Sequence, residues 1–273
     1  MPSTGTNNAA APTNERPEPS LRPVRVSDLA AILRGAVGDF RRAPGVSMAI
    51  ALVYTAGGWL LAALLMVFSL PFLVYPLAMG FALVAPFVAV AFYDVGRRLE
   101  EGESPTLAQA WRAVCDARNR DIRWMALITS FAFFIWMDIA AMITLSFFGA
   151  TALDMPELLR QITTTTHGLV FLVVGHAVGA VIALLIFSIS AISIPMLFDR
   201  DIDIMTAMRA SVRLVRADPL ALGLWCAIIA ASIVLAIASG LVLLPVVLPV
   251  LGYASWRLYR HAAEPVAPVP VPT

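Results

Sequence analysis

The sequence predicts an all-α membrane protein with six transmembrane helices, built as three parallel repeats of an amphipathic helix followed by a transmembrane hairpin. Three observations predict it. Sixty per cent of the 273 residues are hydrophobic and only 14% are charged, where soluble domains carry about a quarter charged. Several apolar windows exceed the roughly 18 to 20 residues needed to cross a hydrocarbon core about 30 Å thick, and in lipid such windows must be helical to satisfy their own backbones. Finally, one pattern recurs at Asp28 to Phe40, Thr106 to Arg118 and Asp203 to Val215.

With Asp28, Thr106 or Asp203 as position zero, apolar or small residues fall at +1, +4, +5, +8 and +9, the spacing of one helix face, and an arginine falls at +6 (Arg34, Arg112, Arg209). The Asp or Thr suits a helix N-cap, whose side-chain oxygen accepts a first-turn N–H. Pro44 and Pro219 then end two of the helices, because proline disfavours a helical residue before it. A stripe of this kind with arginines beside it fits either a helix lying in the inner headgroup region or one packed on the ends of the spans. On the first reading Arg34, Arg112 and Arg209 are membrane-surface residues.

Taken along the chain, residues 1–27 are polar, lack the apolar run of a cleavable signal and read as a disordered tail. Residues 28–260 form the transmembrane domain, with repeat units at about 28–95, 106–194 and 203–257 and spans at about 46–68, 74–95, 124–148, 168–194, 220–239 and 241–257. Units one and three match best, sharing Asp, Arg, Val, Arg and Pro at a constant offset; Pro86, Ala91, Tyr93 and Arg97 also find Pro249, Ala254, Trp256 and Arg260. The first hairpin carries an insertion around Phe68 to Met79. Residues 261–273 end in a Pro-rich, extended tail. Cys115 and Cys226 support neither a disulfide framework nor a thiolate metal site.

There are nineteen arginines and no lysine, and all but Arg160 lie in the N-terminal segment, in 96–123, in 199–219 or after Trp256. The positive-inside rule makes those segments cytoplasmic, which gives N-in and C-in. The stretch from Gly149 to His167 then reads as a solvated outer loop.

Only Asp138 and His176 are ionisable and deep within expected spans. Each lies about nine residues, or roughly 13 Å, from the outer end of its helix. A carboxylate at mid-membrane costs about 2.5 to 3.5 kcal/mol on insertion scales, so it calls for a partner. Gly175 and Gly179 would allow the close helix approach that makes Asp138 and His176 a pair, either proton-responsive or a structural clamp. Asp199, Asp201 and Asp203 form a weak candidate for a divalent cation. No phosphate loop, H-E-x-x-H helix, nucleophile elbow or Cys-x-x-Cys motif occurs, so neither enzymatic activity nor a cofactor is expected.

The runs SISAISIPMLFDRDIDIMTAMRASVRLVRADP, FYDVGRRLEEGESPTLAQAW and LGYASWRLYR resemble a bacterial family of predicted integral membrane proteins, domain of unknown function 2189, over about Asp28 to Arg260. The resemblance implies a bacterial inner-membrane protein and carries no activity or ligand to individual positions. The functional expectation is a non-enzymatic module that assembles with another integral membrane protein or organises lipid at the cytoplasmic face. The alternative is a small proton-coupled transporter or channel using Asp138 and His176. Lipid is the expected partner in either case, and nucleic acid is not.

Overall fold

Three times the chain leaves one packed hub and returns to it in the computed structural model, which describes residues 21–115 and 120–263. Among the described residues all regular structure is helical. In order the α-helices are α1 (Val26–Arg42), α2 (Pro44–Val67), α3 (Val74–Val88), α4 (Val90–Glu100), α5 (Leu107–Cys115), α6 (Arg120–Phe148), α7 (Met155–Thr164), α8 (Thr166–Ser190), α9 (Ser193–Asp199), α10 (Ile204–Ala217), α11 (Pro219–Ala238) and α12 (Leu244–Ala263). The excursions are α2 with α3–α4, α6 with α8–α9, and α11 with α12.

Four segments are long and apolar enough to cross a membrane: Pro44–Val67, Ile122–Leu153, Thr166–Asp199 and Pro219–Ala238. The other two expected spans are built differently. Helix α3 has 15 residues, about 22 Å at helical rise, before a break at Ala89 leads into α4. Helix α12 is apolar in its first half, whereas its second half is buried in the hub and carries Arg257 and Arg260.

The hub assembles α1, α4, α9, α10 and the end of α12 around a buried aromatic cluster. Tyr93 stacks on Trp256 with centroids 6.0 Å apart, and Phe198 meets the same indole edge-on at 6.0 Å. Phe92 packs edge-on against Tyr253 at 5.7 Å. Glycines let the helices close in: a Cβ on Gly252 would stand 2.8 Å from Phe92, and one on Gly35 would stand 2.7 Å from Arg257.

Charges inside the hub are paired, as burial requires. Arg257 donates two hydrogen bonds to Asp39, at 2.5 and 2.8 Å, joining α12 to α1. Asp94, fully buried, accepts from Arg97 at 2.7 Å and Arg98 at 2.8 Å. Trp256 Nε1 donates to Glu100, and Tyr259 donates to Asp199 at 2.6 Å. Burial holds the Glu100 carboxyl above its ordinary range, although Arg260 pulls the other way.

The α1–α2 and α10–α11 joints share one geometry. Ala43 has φ −133°, ψ 54° and Asp218 has φ −130°, ψ 61°; each closes one helix, opens the next and is followed by proline at the first position. Their backbone bonds match as well. Ala43 N–H donates to Asp39 O and Asp218 N–H to Leu214 O, while Ser47 N–H and Leu222 N–H donate back to the joint residues.

Several boundaries differ from the sequence reading. Helix α1 begins at Val26, so Asp28 is not its N-cap but its third residue, and its carboxylate accepts the Arg25 N–H at 2.9 Å. Thr106 and Asp203 do cap: Thr106 exchanges bonds with Gln109, and Asp203 accepts from Thr206 N–H at 2.9 Å. Part of the expected N-terminal tail belongs to the hub, because Val24 is buried and the N–H groups of Arg22 and Val24 donate to Ala262 O and the Asp218 carboxylate. Residues 261–263, assigned to the C-terminal tail, finish α12. The expected outer loop is a 3₁₀ turn, Gly149–Leu153, followed by α7. Amphipathic spacing explains α7, since Leu158 and Ile162 turn one face onto Phe72, Phe148 and Ala152 in a small second core at the end of the spans remote from the hub.

Candidate functional site

Between α3, α6, α8 and α11 lies a cavity of about 380 Å³ with almost wholly apolar walls. Tyr75, Pro76, Met79 and Gly80 come from α3; Trp136, Ala140, Ile143 and Thr144 come from α6. Helix α8 adds Phe171, Leu172, Gly175, His176 and Gly179, and α11 adds Ala230, Ile233 and Val234. Trp136 organises the approach of these helices. Its Nε1 donates to Pro76 O at 2.8 Å, and a Cβ on Gly80 or Gly179 would stand 2.7 or 2.9 Å from its ring. Small residues thus let α3 and α8 close on α6, as in membrane helix packing generally. Gly175 differs, for a Cβ there would meet nothing within 4 Å.

One polar pair marks the mouth of the cavity. Tyr75 Oη lies 2.8 Å from His176 Nε2, and His176 Nδ1 lies 2.7 Å from Leu172 O one turn earlier. Thr144 is satisfied locally, donating to Ala140 O at 2.7 Å. A carbonyl oxygen only accepts, so His176 Nδ1 carries a proton.

His176 therefore pairs with Tyr75, and the structure does not bring Asp138 to it. Asp138 and His176 are at similar depth, each ten residues from the far end of its helix (Phe148 and Thr166), about 15 Å. The angle around the helix separates them. Asp138 follows cavity-lining Trp136 by two positions, about 200° around α6, and is exposed on the outer side with Phe131, Phe134 and Met142. No hydrogen bond or ion pair to Asp138 occurs among the described residues.

Arg34, Arg112 and Arg209 are all exposed, but their helices differ. The stripes of α1 and α10 pack into the hub through Leu29, Ile32 and Ala36 and through Ala207 and Ser211, with Ala210 and Leu214 buried beside the α10 stripe, so they are core helices with an arginine outside. On α5 only Ala110 is buried; Leu107, Trp111 and Cys115 beside Arg112 remain open. The three aspartates are engaged separately. Asp199 accepts from Tyr259, Asp203 caps α10, and Asp201 is exposed between them. No group of three or more His, Cys, Asp or Glu with metal-binding geometry occurs among the described residues.

The cavity and the hub's ion pairs were hidden from the sequence for one reason. Tyr75, Trp136 and Asp39 are ordinary residues in apolar or amphipathic runs, and only the rotation of each helix shows what they face. The runs FYDVGRRLE, SIPMLFD and LGYASWRLYR carried a signal in their polar–aromatic mixture, and these meet in the hub as α4, α9 and the second half of α12.

No curated protein and no solved structure matches the chain. The family model covers less than the sequence resemblance suggested: it takes in α4, α9 and the cavity walls of α3, α6 and α8, and leaves out α1, α10, α11 and α12. Residues 73–199 match the model of the predicted integral membrane proteins called domain of unknown function 2189.

Proposed function

We propose that this multi-pass membrane protein is a non-enzymatic assembly module, which docks through the outer face of α6 onto another integral membrane protein. One observation carries the reading. Asp138 is a carboxylate on the outside of the span segment Ile122–Leu153, with no hydrogen-bond or ion-pair partner among the described residues. Left in lipid it costs about 2.5 to 3.5 kcal/mol, and a neighbouring helix offering a cation or an amide donor removes that cost. The surroundings agree, because only 11% of the most apolar window of that segment is buried.

The finer architecture belongs to the same proposal. The chain crosses six times as three parallel helix-plus-hairpin repeats, and the matching joints at Ala43 and Asp218 support units one and three as copies. Under these repeats Asp138 corresponds to Leu60 and Leu235, both exposed, so the carboxylate stands where the scaffold has an outward leucine. In this reading the hub side, with both termini, faces the cytoplasm across a bacterial inner membrane, which the concentration of arginines on that side supports under the positive-inside rule. Proton-coupled transport through an Asp138–His176 pair loses its geometric basis, since the two occupy different faces.

Affinity purification from native membranes tests the reading. Wild-type protein is expected to bring down a discrete membrane partner, Asp138→Asn to keep part of it as a neutral hydrogen-bonding group, and Asp138→Leu to lose it. Undiminished recovery with Asp138→Leu would refute docking through this face.

A further inference from the structure

We propose that the cavity between α3, α6, α8 and α11 binds a single-chain amphiphile bearing a hydroxyl group, whose O–H donates to Tyr75 Oη. Nothing in the assembly reading requires this site, which lies on the other side of α6 from Asp138.

Its volume of about 380 Å³ falls near the lower end of the roughly 300–1,000 Å³ of small-molecule sites. That is room for one chain and not for a whole two-chain lipid. Trp136, Ile143, Phe171 and Ile233 make the walls apolar, so a hydrocarbon chain suits them and water does not. The bilayer is the natural source, because the mouth opens sideways between spans, where Tyr75 and His176 are both exposed.

Hydrogen-bond direction selects the head group. Leu172 O fixes the proton of His176 on Nδ1. In the neutral ring Nε2 is then an acceptor, so Tyr75 O–H must donate to it across 2.8 Å. Tyr75 spends its only proton in that bond and presents lone pairs to the cavity. An incoming alcohol can donate to them, whereas an ether, ester or ketone sets acceptor against acceptor.

Photolabelling in phosphatidylcholine vesicles tests the site. The probes are hexadecanol carrying a mid-chain diazirine and its methyl ether, with adducts mapped by mass spectrometry. The alcohol is expected to label Phe171 to Ala183 and Ala230 to Val234 two- to tenfold more than the ether, roughly the yield of one net hydrogen bond. Gly175→Leu, whose side chain enters open space, is expected to abolish this labelling. The double variant Tyr75→Phe/His176→Phe removes the phenol oxygen together with the His176 Nε2 lone pair that loss of the phenol O–H would free, so alcohol and ether should then label alike, a comparison made within one protein and independent of its expression level. Equal labelling of wild type by both probes overturns the proposal. So do adducts spread evenly over outward residues such as Val173 and Leu184. Unlabelled hexadecanol should compete; a diacylglycerol that competes equally well would overturn the single-chain assignment. Loss of partner binding in Asp138→Leu with labelling intact would show that the two readings stand or fall separately.

Discussion

The hub and the spans are made from the same chain by opposite rules. In the hub, large side chains such as Trp256, Tyr253 and Tyr259 are all but fully buried, and each ionised group among them has a counterpart. In the four span segments the apolar windows are only 0 to 28% buried, and that of Thr166–Asp199 has no buried residue at all. Water drives the first arrangement, since apolar area withdrawn from it stabilises the fold. Lipid drives the second: tails are as apolar as leucine, so span side chains gain little by facing protein, and helix contact depends on small residues and fit. Internal packing thus supports the hub, while the spans rely on what surrounds them.

Truncation should separate the two regions. Trp256→Ala removes the indole on which Tyr93 and Phe198 stack and which donates to Glu100. It is expected to cost about 3 to 5 kcal/mol, read as a large fall in thermal stability of the purified protein in detergent. Asp203→Ala leaves the Thr206 N–H of α10 uncapped, and a loss of about 1 kcal/mol is expected. Hydrogen bonds from Thr206 hold the Asp203 carboxyl below its ordinary value in the folded protein. The stabilisation is therefore complete above that value and fades as pH falls through the lower folded value, so the gap between wild type and Asp203→Ala should narrow in acid. Leu185→Ala, at a position 65% exposed in the spans, is expected to move stability by no more than about 0.5 kcal/mol. A loss there as large as that of Trp256→Ala would show that the spans too are held by internal packing, and the contrast would fail.

This contrast also explains what could be read from the sequence. Span segments show as long apolar windows, and four were recovered as helices of sufficient length. Caps show as single residues, and Thr106 and Asp203 performed as expected. The start of α1 was misplaced because Asp28 bonds back from the third position as an acidic residue in a first turn can. The Asp138–His176 pair failed on rotation alone. Counting residues fixes depth at 1.5 Å per step, but a span apolar on every face gives no periodicity from which to read which way position 138 points. Where amphipathic spacing is strong the buried face follows it in α1, at Leu29, Ile32 and Ala36, whereas in α10 it keeps Ala207 and Ser211 but turns toward Ala210 and Leu214.

The twin joints at Ala43 and Asp218 have a mechanical consequence. Each is one residue long, anchored by backbone bonds on both sides, and followed by a proline ring that fixes the next torsion. There is no slack to absorb a change in tilt. If a thinner bilayer leans α2 or α11 over, α1 or α10 must swing with it, and since α1 is clamped to α12 through Asp39 and Arg257, the hub receives the torque.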